Sequence, residues 1–191
     1  CAISYRRMAD IKPEPIHWIW PGIIARGKFT VFAGDPGLGK SQLTAYIAAI
    51  VSNGGNWPVD NSQSPKGNVV IISAEDDAAD TIVPRLEAVG ADLSKVIIPD
   101  FVKGDEDEKR SLNLRQDIQN LDAFLNEIGG AAVIIIDPIS AYLGGVDGHK
   151  NADVRGLLSP LTDLAAKHNA AVICITHLNK GEDRKSTRLN S

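Results

Sequence analysis

Eight consecutive residues, Gly34-Asp35-Pro36-Gly37-Leu38-Gly39-Lys40-Ser41, have the types and spacing to hold a polyphosphate. They match G-x-x-x-x-G-K-[ST], the phosphate-binding P-loop. Glycines let the backbone adopt positive φ and turn its N–H groups toward an anion. Lys40 supplies a positive charge for β- and γ-phosphates, and the Ser41 hydroxyl can sit on Mg²⁺. Gln42 completes the nucleotide-binding stretch. The preceding Thr30-Val31-Phe32-Ala33 reads as a short buried strand. Residues 43–51 read as a helix whose N-terminus faces the phosphates, where the helix dipole favours anions. That context separates a P-loop from a glycine-rich turn that happens to contain Lys-Ser, and it makes ATP and Mg²⁺ the expected ligands.

Three other polar positions end apolar runs. Ala131 to Ile136 is the most apolar stretch of the chain and runs straight into Asp137. An acid after four apolar residues is the Walker B pattern, so Asp137 is expected to hold Mg²⁺, directly or through water; the alternative is an Asp that caps the next turn. Hydrolysis also needs a group that orients or deprotonates water. Many ATPases place a Glu directly after the Walker B Asp, but Pro138 stands here, so the base must come from elsewhere. Residues 68–73 (NVVIIS) form another apolar strand and lead into Glu75 and Asp76. Glu75 is the first candidate base and Asp76 the second, against the reading in which both merely cap the helix that follows. His177 ends a third run, 170–176, where it could sense a γ-phosphate or serve only structure.

These positions need a sheet whose strands end on one side. Strands alternate with helices along the chain, which predicts an α/β fold with a mostly parallel sheet and helices on both faces. Helices are expected at 80–89, with Pro84 kinking or restarting it and Gly90 as its C-terminal cap, at 112–128, and at 152–167 around Pro160. A strand is expected at 95–99, a charged loop at 102–110, and loops at 53–67 and 143–151. Ile16, Trp18 and Trp20 alternate in a Pro-bounded extended segment, so they are expected to pack on the outside of the sheet rather than against a nucleotide.

The 191 residues suffice for one domain with a full core. Net charge is −4, so a nucleic-acid partner must be met by local loops rather than by an overall positive field. Two cysteines are too few for a disulfide framework, which fits a reducing, cytoplasmic setting, and no apolar run is long enough to span a membrane.

Together these residues resemble the RecA-like ATPases, and among them the family of the RepA-type hexameric helicase and related phage and plasmid replication ATPases. The resemblance spans about residues 15–180. Its carriers are WIWPG (18–22), GDPGLGKS (34–41), SAEDD (73–77), IIIDPISAYLG (134–144), Asn151 with Asp153, and ITHLNK (175–180). It implies a RecA-like P-loop NTPase core with ATP and Mg²⁺ bound by Lys40 and Ser41. In it Glu75 polarises the attacking water, Asp137 is the Walker B acid, and His177 couples the γ-phosphate to DNA-binding loops. Arg85 aligns with a position that can stack on adenine. The His177 strand is expected between the Walker A and Walker B strands, beside Glu75 and Asp137.

The family also implies a motor acting on single-stranded DNA within a homo-oligomeric ring, a hexamer, with an arginine supplied by a neighbouring subunit. Loops 143–151 and the segment after His177 are the expected DNA contacts, with Lys150 and Lys180 as phosphate partners. The expected organisation is an N-terminal extension at 1–14, the ATPase domain at 15–182, and a polar, non-native tail at 183–191. Arg184 and Arg188 lie in that tail and are not credited with the trans-arginine role.

Overall fold

The computed structural model describes residues 4–99, 102–103, 109–143 and 151–177. In chain order the strands are β1 (Trp18–Trp20), β2 (Ile24–Ala25), β3 (Phe29–Gly34), β4 (Val69–Ser73), β5 (Val96–Ile97), β6 (Val102–Lys103), β7 (Lys109–Arg110), β8 (Val133–Asp137) and β9 (Ala171–His177). The α-helices are α1 (Lys40–Asn53), α2 (Val83–Ala88), α3 (Ile118–Glu127) and α4 (Asn151–His168). Five strands form one wholly parallel sheet in the order β3-β9-β8-β4-β5. The predicted α/β architecture is therefore present, and β9 lies between the strand that feeds the P-loop and the strand that ends in Asp137.

The continuous apolar runs follow from burial on both faces. Successive side chains of a strand point to opposite sides. Val69 and Ile71 of β4, Val133 and Ile135 of β8, and Ile173 and Ile175 of β9 join one cluster with Ile47, Ala48 and Val51 of α1 and Leu86 of α2. Their neighbours Val70, Ile72, Ile134, Ile136, Val172 and Cys174 join a second cluster with Leu121 and Leu125 of α3 and Leu161, Leu164 and Ala165 of α4. Cys174 is wholly buried, and burial pushes its thiol well above the usual range. None of the described helices is long and apolar enough to cross a membrane.

Several expectations need correction. The alternation of Ile16, Trp18 and Trp20 does not hold. Ile16 and Trp18 are 56% and 37% exposed, whereas Ile19 and Trp20 are buried. The β1–β2 ribbon changes register between Trp18 and Trp20, which breaks the period of two. Trp20 stacks on Trp57, with ring centroids 4.4 Å apart, and the Trp57 indole N–H donates to the Ile19 carbonyl at 2.7 Å. The loop at 53–67 thus contributes a core residue. The strand expected at 95–99 pairs only over Val96–Ile97, and the ends of the charged stretch at 102–110 pair as an antiparallel ribbon. Helix α1 begins at Lys40 itself and runs to Asn53.

The helix expected at 112–128 starts only at Ile118, because side chains take over the backbone donors ahead of it. Asp117 accepts the Asn113 N–H at 2.8 Å, and Asn113 accepts the Arg115 N–H at 3.0 Å. Leu114 is still fully buried, so the helical apolar period continued through a segment that is not helix. The Asp117 carboxylate also takes Arg110 Nη1 and Nη2 at 2.6 Å each, and Asn120 Nδ2 at 2.9 Å.

The Arg110 guanidinium beside Asp117 holds this carboxyl below its usual value of 3.8. A depressed native pKa stabilises the fold above the unfolded value, and that stability is lost as pH falls through the native value. Asp117→Asn is expected to lower unfolding free energy by about 1–3 kcal/mol at pH 7, through donors left unpaired around a buried group. Urea unfolding should show the gap between wild type and variant closing below about pH 4.

Candidate active site

Parallel pairing brings the polar strand ends to one edge of the sheet. Gly34 is opposite His177 across β3 and β9, and Ser73 is opposite Asp137 across β4 and β8. This is the carboxyl edge, where open α/β sheets bind ligands. A groove of about 520 Å³ opens there, lined by Pro36, Gly37, Gly39, Lys40, Ser41, Gln42, Glu75, Arg85 and His177. A smaller cavity of about 30 Å³ lies beside it, lined among others by Ser41, Ser73, Asp76, Arg85 and Asp137.

The P-loop is shaped by two left-handed glycines, Gly37 at φ 79° and Gly39 at φ 77°. A Cβ at either would meet nothing within 4 Å, so backbone conformation, not crowding, requires glycine there. Gly39 turns the chain directly into α1, and its carbonyl accepts the first helical N–H, from Leu43, at 2.9 Å. Lys40 Nζ donates to the carbonyls of Gly34 at 2.9 Å and Asp35 at 2.8 Å. These neutral acceptors hold the ammonium over the loop without cancelling its charge.

Ser41 Oγ donates to Asp137 Oδ2 at 2.8 Å, a bond that joins the P-loop helix to the end of β8. Burial raises the Asp137 pKa above 3.8; the Ser41 bond opposes the shift, and the nearby charges of Glu75 and Asp76 add to it. Tyr142 follows in the next turn, and its phenol is pushed up to about 12 by burial and then by the Asp137 charge.

Beyond β4, the Asp76 N–H donates to Ser73 Oγ at 3.2 Å. Asp77 caps a five-residue π turn, Ala78–Ile82, by accepting from the N–H groups of Ala79 and Asp80. Helix α2 then restarts with Pro84 in its first turn, as the sequence suggested, and Gly90 closes it at φ 73°. This path carries Arg85 back to Asp76, whose Oδ2 pairs with Arg85 Nη1. Glu75 is left facing the groove, its side chain 58% exposed, with Oε2 3.8 Å from His177 Nε2. His177 Nδ1 is buried and has no hydrogen-bond partner among the described residues.

The donor set suits the expected ligands. Asp137 and Ser41 offer hard oxygens 2.8 Å apart. Among the described residues no three His, Cys, Asp or Glu side chains gather to hold a metal alone. Mg²⁺ characteristically uses one or two protein oxygens and takes its remaining ligands from phosphate and water. The sequence named the groove residues but not Ser73 or the Asp77 cap. The signal for both was present in SAEDD, where small polar and acidic residues follow an apolar run and precede a helix.

Residues 4–183 match the AAA domain family. The chain belongs to that family. DNA repair protein RadA of Streptococcus pyogenes, from serotypes M6, M18 and M1, is in each case 26% identical over 178 residues, 93% of this chain and 34% of the relative. The chain thus spans about a third of the length of these curated relatives. Sheet and P-loop give this AAA domain a RecA-like P-loop core. Loop residues 144–150 and everything after His177, including Lys150 and Lys180, lie outside the described residues.

A raised native pKa has the opposite sign to that of Asp117. The fold favours protonated Asp137, and this preference is lost as pH rises through the native value. At neutral pH the ionised carboxylate therefore works against the ligand-free fold. Asp137→Asn keeps an acceptor for Ser41 and is expected to raise the melting temperature without nucleotide by about 2–4 °C at pH 7. The difference should vanish below about pH 4 in a calorimetric pH series.

Proposed function

We propose that this AAA domain is an ATP-hydrolysing motor acting on single-stranded DNA in repair, recombination or replication, of the RepA-like helicase type. The observation that carries the hydrolytic part is the convergence of Lys40, Ser41, Asp137, Glu75 and His177 on one sheet edge. The DNA part rests on similarity to proteins named DNA repair protein RadA and on the motif resemblance.

In this reading the P-loop N–H groups and Lys40 hold the β- and γ-phosphates. Ser41 and Asp137 hold Mg²⁺, which when bound neutralises phosphate charge. Water attacks the γ-phosphorus; its oxygen forms the new P–O bond, its proton passes to Glu75, and the bond to the β-phosphate oxygen breaks. Glu75 suits this better than Asp76, because Asp76 is paired with Arg85 while Glu75 is open to the groove. His177 touches Glu75 and is directly followed by the segment proposed to contact DNA, so it is the proposed coupling residue. A homo-oligomeric ring, with an arginine reaching in from a neighbour, would supply the charge that develops only in the transition state. Lys150 and Lys180 remain the proposed DNA-phosphate partners, whose contacts would weaken steeply with salt.

Lys40→Ala is expected to abolish ATP binding. Glu75→Gln should bind ATP normally and lose about 10²–10⁴ in turnover. His177→Ala should bind ATP but lose stimulation of hydrolysis by single-stranded DNA. ATPase assays with and without single-stranded DNA test this. Brisk turnover of the unaltered chain that is indifferent to DNA would favour a regulatory or loading ATPase, and slow turnover indifferent to DNA a nucleotide-binding switch that hydrolyses poorly. Strand displacement by the oligomer would support the helicase.

A further inference from the structure

Among the described residues, Lys40 and Arg85 are the Lys and Arg side chains that border the groove, and their surroundings differ. Lys40 is held by two backbone carbonyls and keeps its full charge. Arg85 is held by a carboxylate, Asp76, which cancels much of its charge. Asp76 is itself fixed from behind, since its own N–H is anchored on Ser73 Oγ at the end of β4. The paired side chains are 37% and 26% exposed, so the pair sits at the groove rim rather than in the core.

A guanidinium has five N–H donors in a flat fork and is well suited to phosphate. Only Nη1 of Arg85 is engaged among the described residues. Released from Asp76, Arg85 would be a second strong phosphate ligand beside Lys40. Kept on Asp76, it presents to the groove a flat guanidinium whose charge is largely neutralised. Such a surface gains little from bare phosphate charge and more from stacking against the flat body of a nucleoside.

We propose that Asp76 is a specificity-determining residue, which holds Arg85 away from the phosphates so that the groove selects a nucleoside triphosphate over bare polyphosphate. The proposal rests on the nucleotide-binding reading above, and it gives Asp76 a positioning role in place of a catalytic one. It differs from a purely structural role for the ion pair, which would move both affinities together or neither.

Isothermal titration with Mg²⁺ present, using ATP and inorganic tripolyphosphate as separate probes, tests it on wild type, Asp76→Asn, Arg85→Ala, the double variant and Lys40→Ala. Asp76→Asn is close to isosteric, and a thermal melt checks that it is folded. It should bind tripolyphosphate about tenfold more tightly, as a charged donor is freed for phosphate, while the preference for ATP over tripolyphosphate shrinks. Adding Arg85→Ala should remove that gain. Tripolyphosphate affinity unchanged or weaker in Asp76→Asn overturns the proposal. So does a gain that survives in the double variant, because simple loss of a negative charge then explains it. Lys40→Ala should lose both probes; if it keeps both, the P-loop reading fails instead.

Discussion

The register of four parallel strands is the constraint on which the site depends. Gly34, His177, Asp137 and Ser73 are far apart in sequence, and the pairing of β3, β9, β8 and β4 sets them along one edge. In β4, β8 and β9, buried on both faces, a slip by one residue would exchange the two apolar sets without exposing either. The polar ends make the slip costly. Moving β8 one position toward the sheet body would carry the Asp137 carboxylate into the place of Ile136, between Ile72 and Cys174, where a charge has no partner. The residues that form the site are thus the ones that fix where the strands stop.

Helix α1 meets the same constraint from the other side. Its Ile47, Ala48 and Val51 pack on the face that holds Ile71, Ile135 and Ile173. That packing fixes the helix axis, and with it the position of the P-loop at its N-terminus. The Ser41–Asp137 bond then joins helix to strand at the point where a phosphate and its cation would sit. Packing and site geometry are not separable here, because the helix that covers the core is also the one whose first residues are Lys40 and Ser41.

Much of this was legible in the sequence, for a physical reason. A strand covered on both faces is a continuous apolar run, and a polar residue that ends it marks the sheet edge within a residue or two. Asp137 and His177 are legible in that way, the P-loop through its own motif, and the order of the strands through the family resemblance. The strand at 30–33 was expected to be buried, but β3 lies at the edge of the sheet and its Val31 is 48% exposed. The start of α3 was not legible, because Asn113 and Asp117 capture backbone donors while Leu114 keeps the helical apolar period. The packing of β1 was missed because its register change breaks alternation, and Trp57 because its burial depends on a stacking partner 37 positions earlier. The Asp76–Arg85 pair crosses nine positions through a π turn, so neither the 3.6 nor the 2.0 period indicates it.

Three carboxylates share the edge, and their environments separate them. Asp137 is buried, bonded to a hydroxyl and raised in pKa, which suits an oxygen ligand that gains from a cation arriving beside it. Asp76 is committed to Arg85 and therefore has little freedom to take a proton from water. Glu75 is exposed to the groove, with the His177 imidazole 3.8 Å away, so a proton can reach it and leave it. Sequence spacing alone left Glu75 and Asp76 as alternatives. The distinction comes from the turn after β4, in which the Ser73 anchor and the Asp77 cap send one carboxylate toward α2 and the other toward the P-loop. A short stretch of backbone thus divides two adjacent acids into one paired with a guanidinium and one left open to the groove.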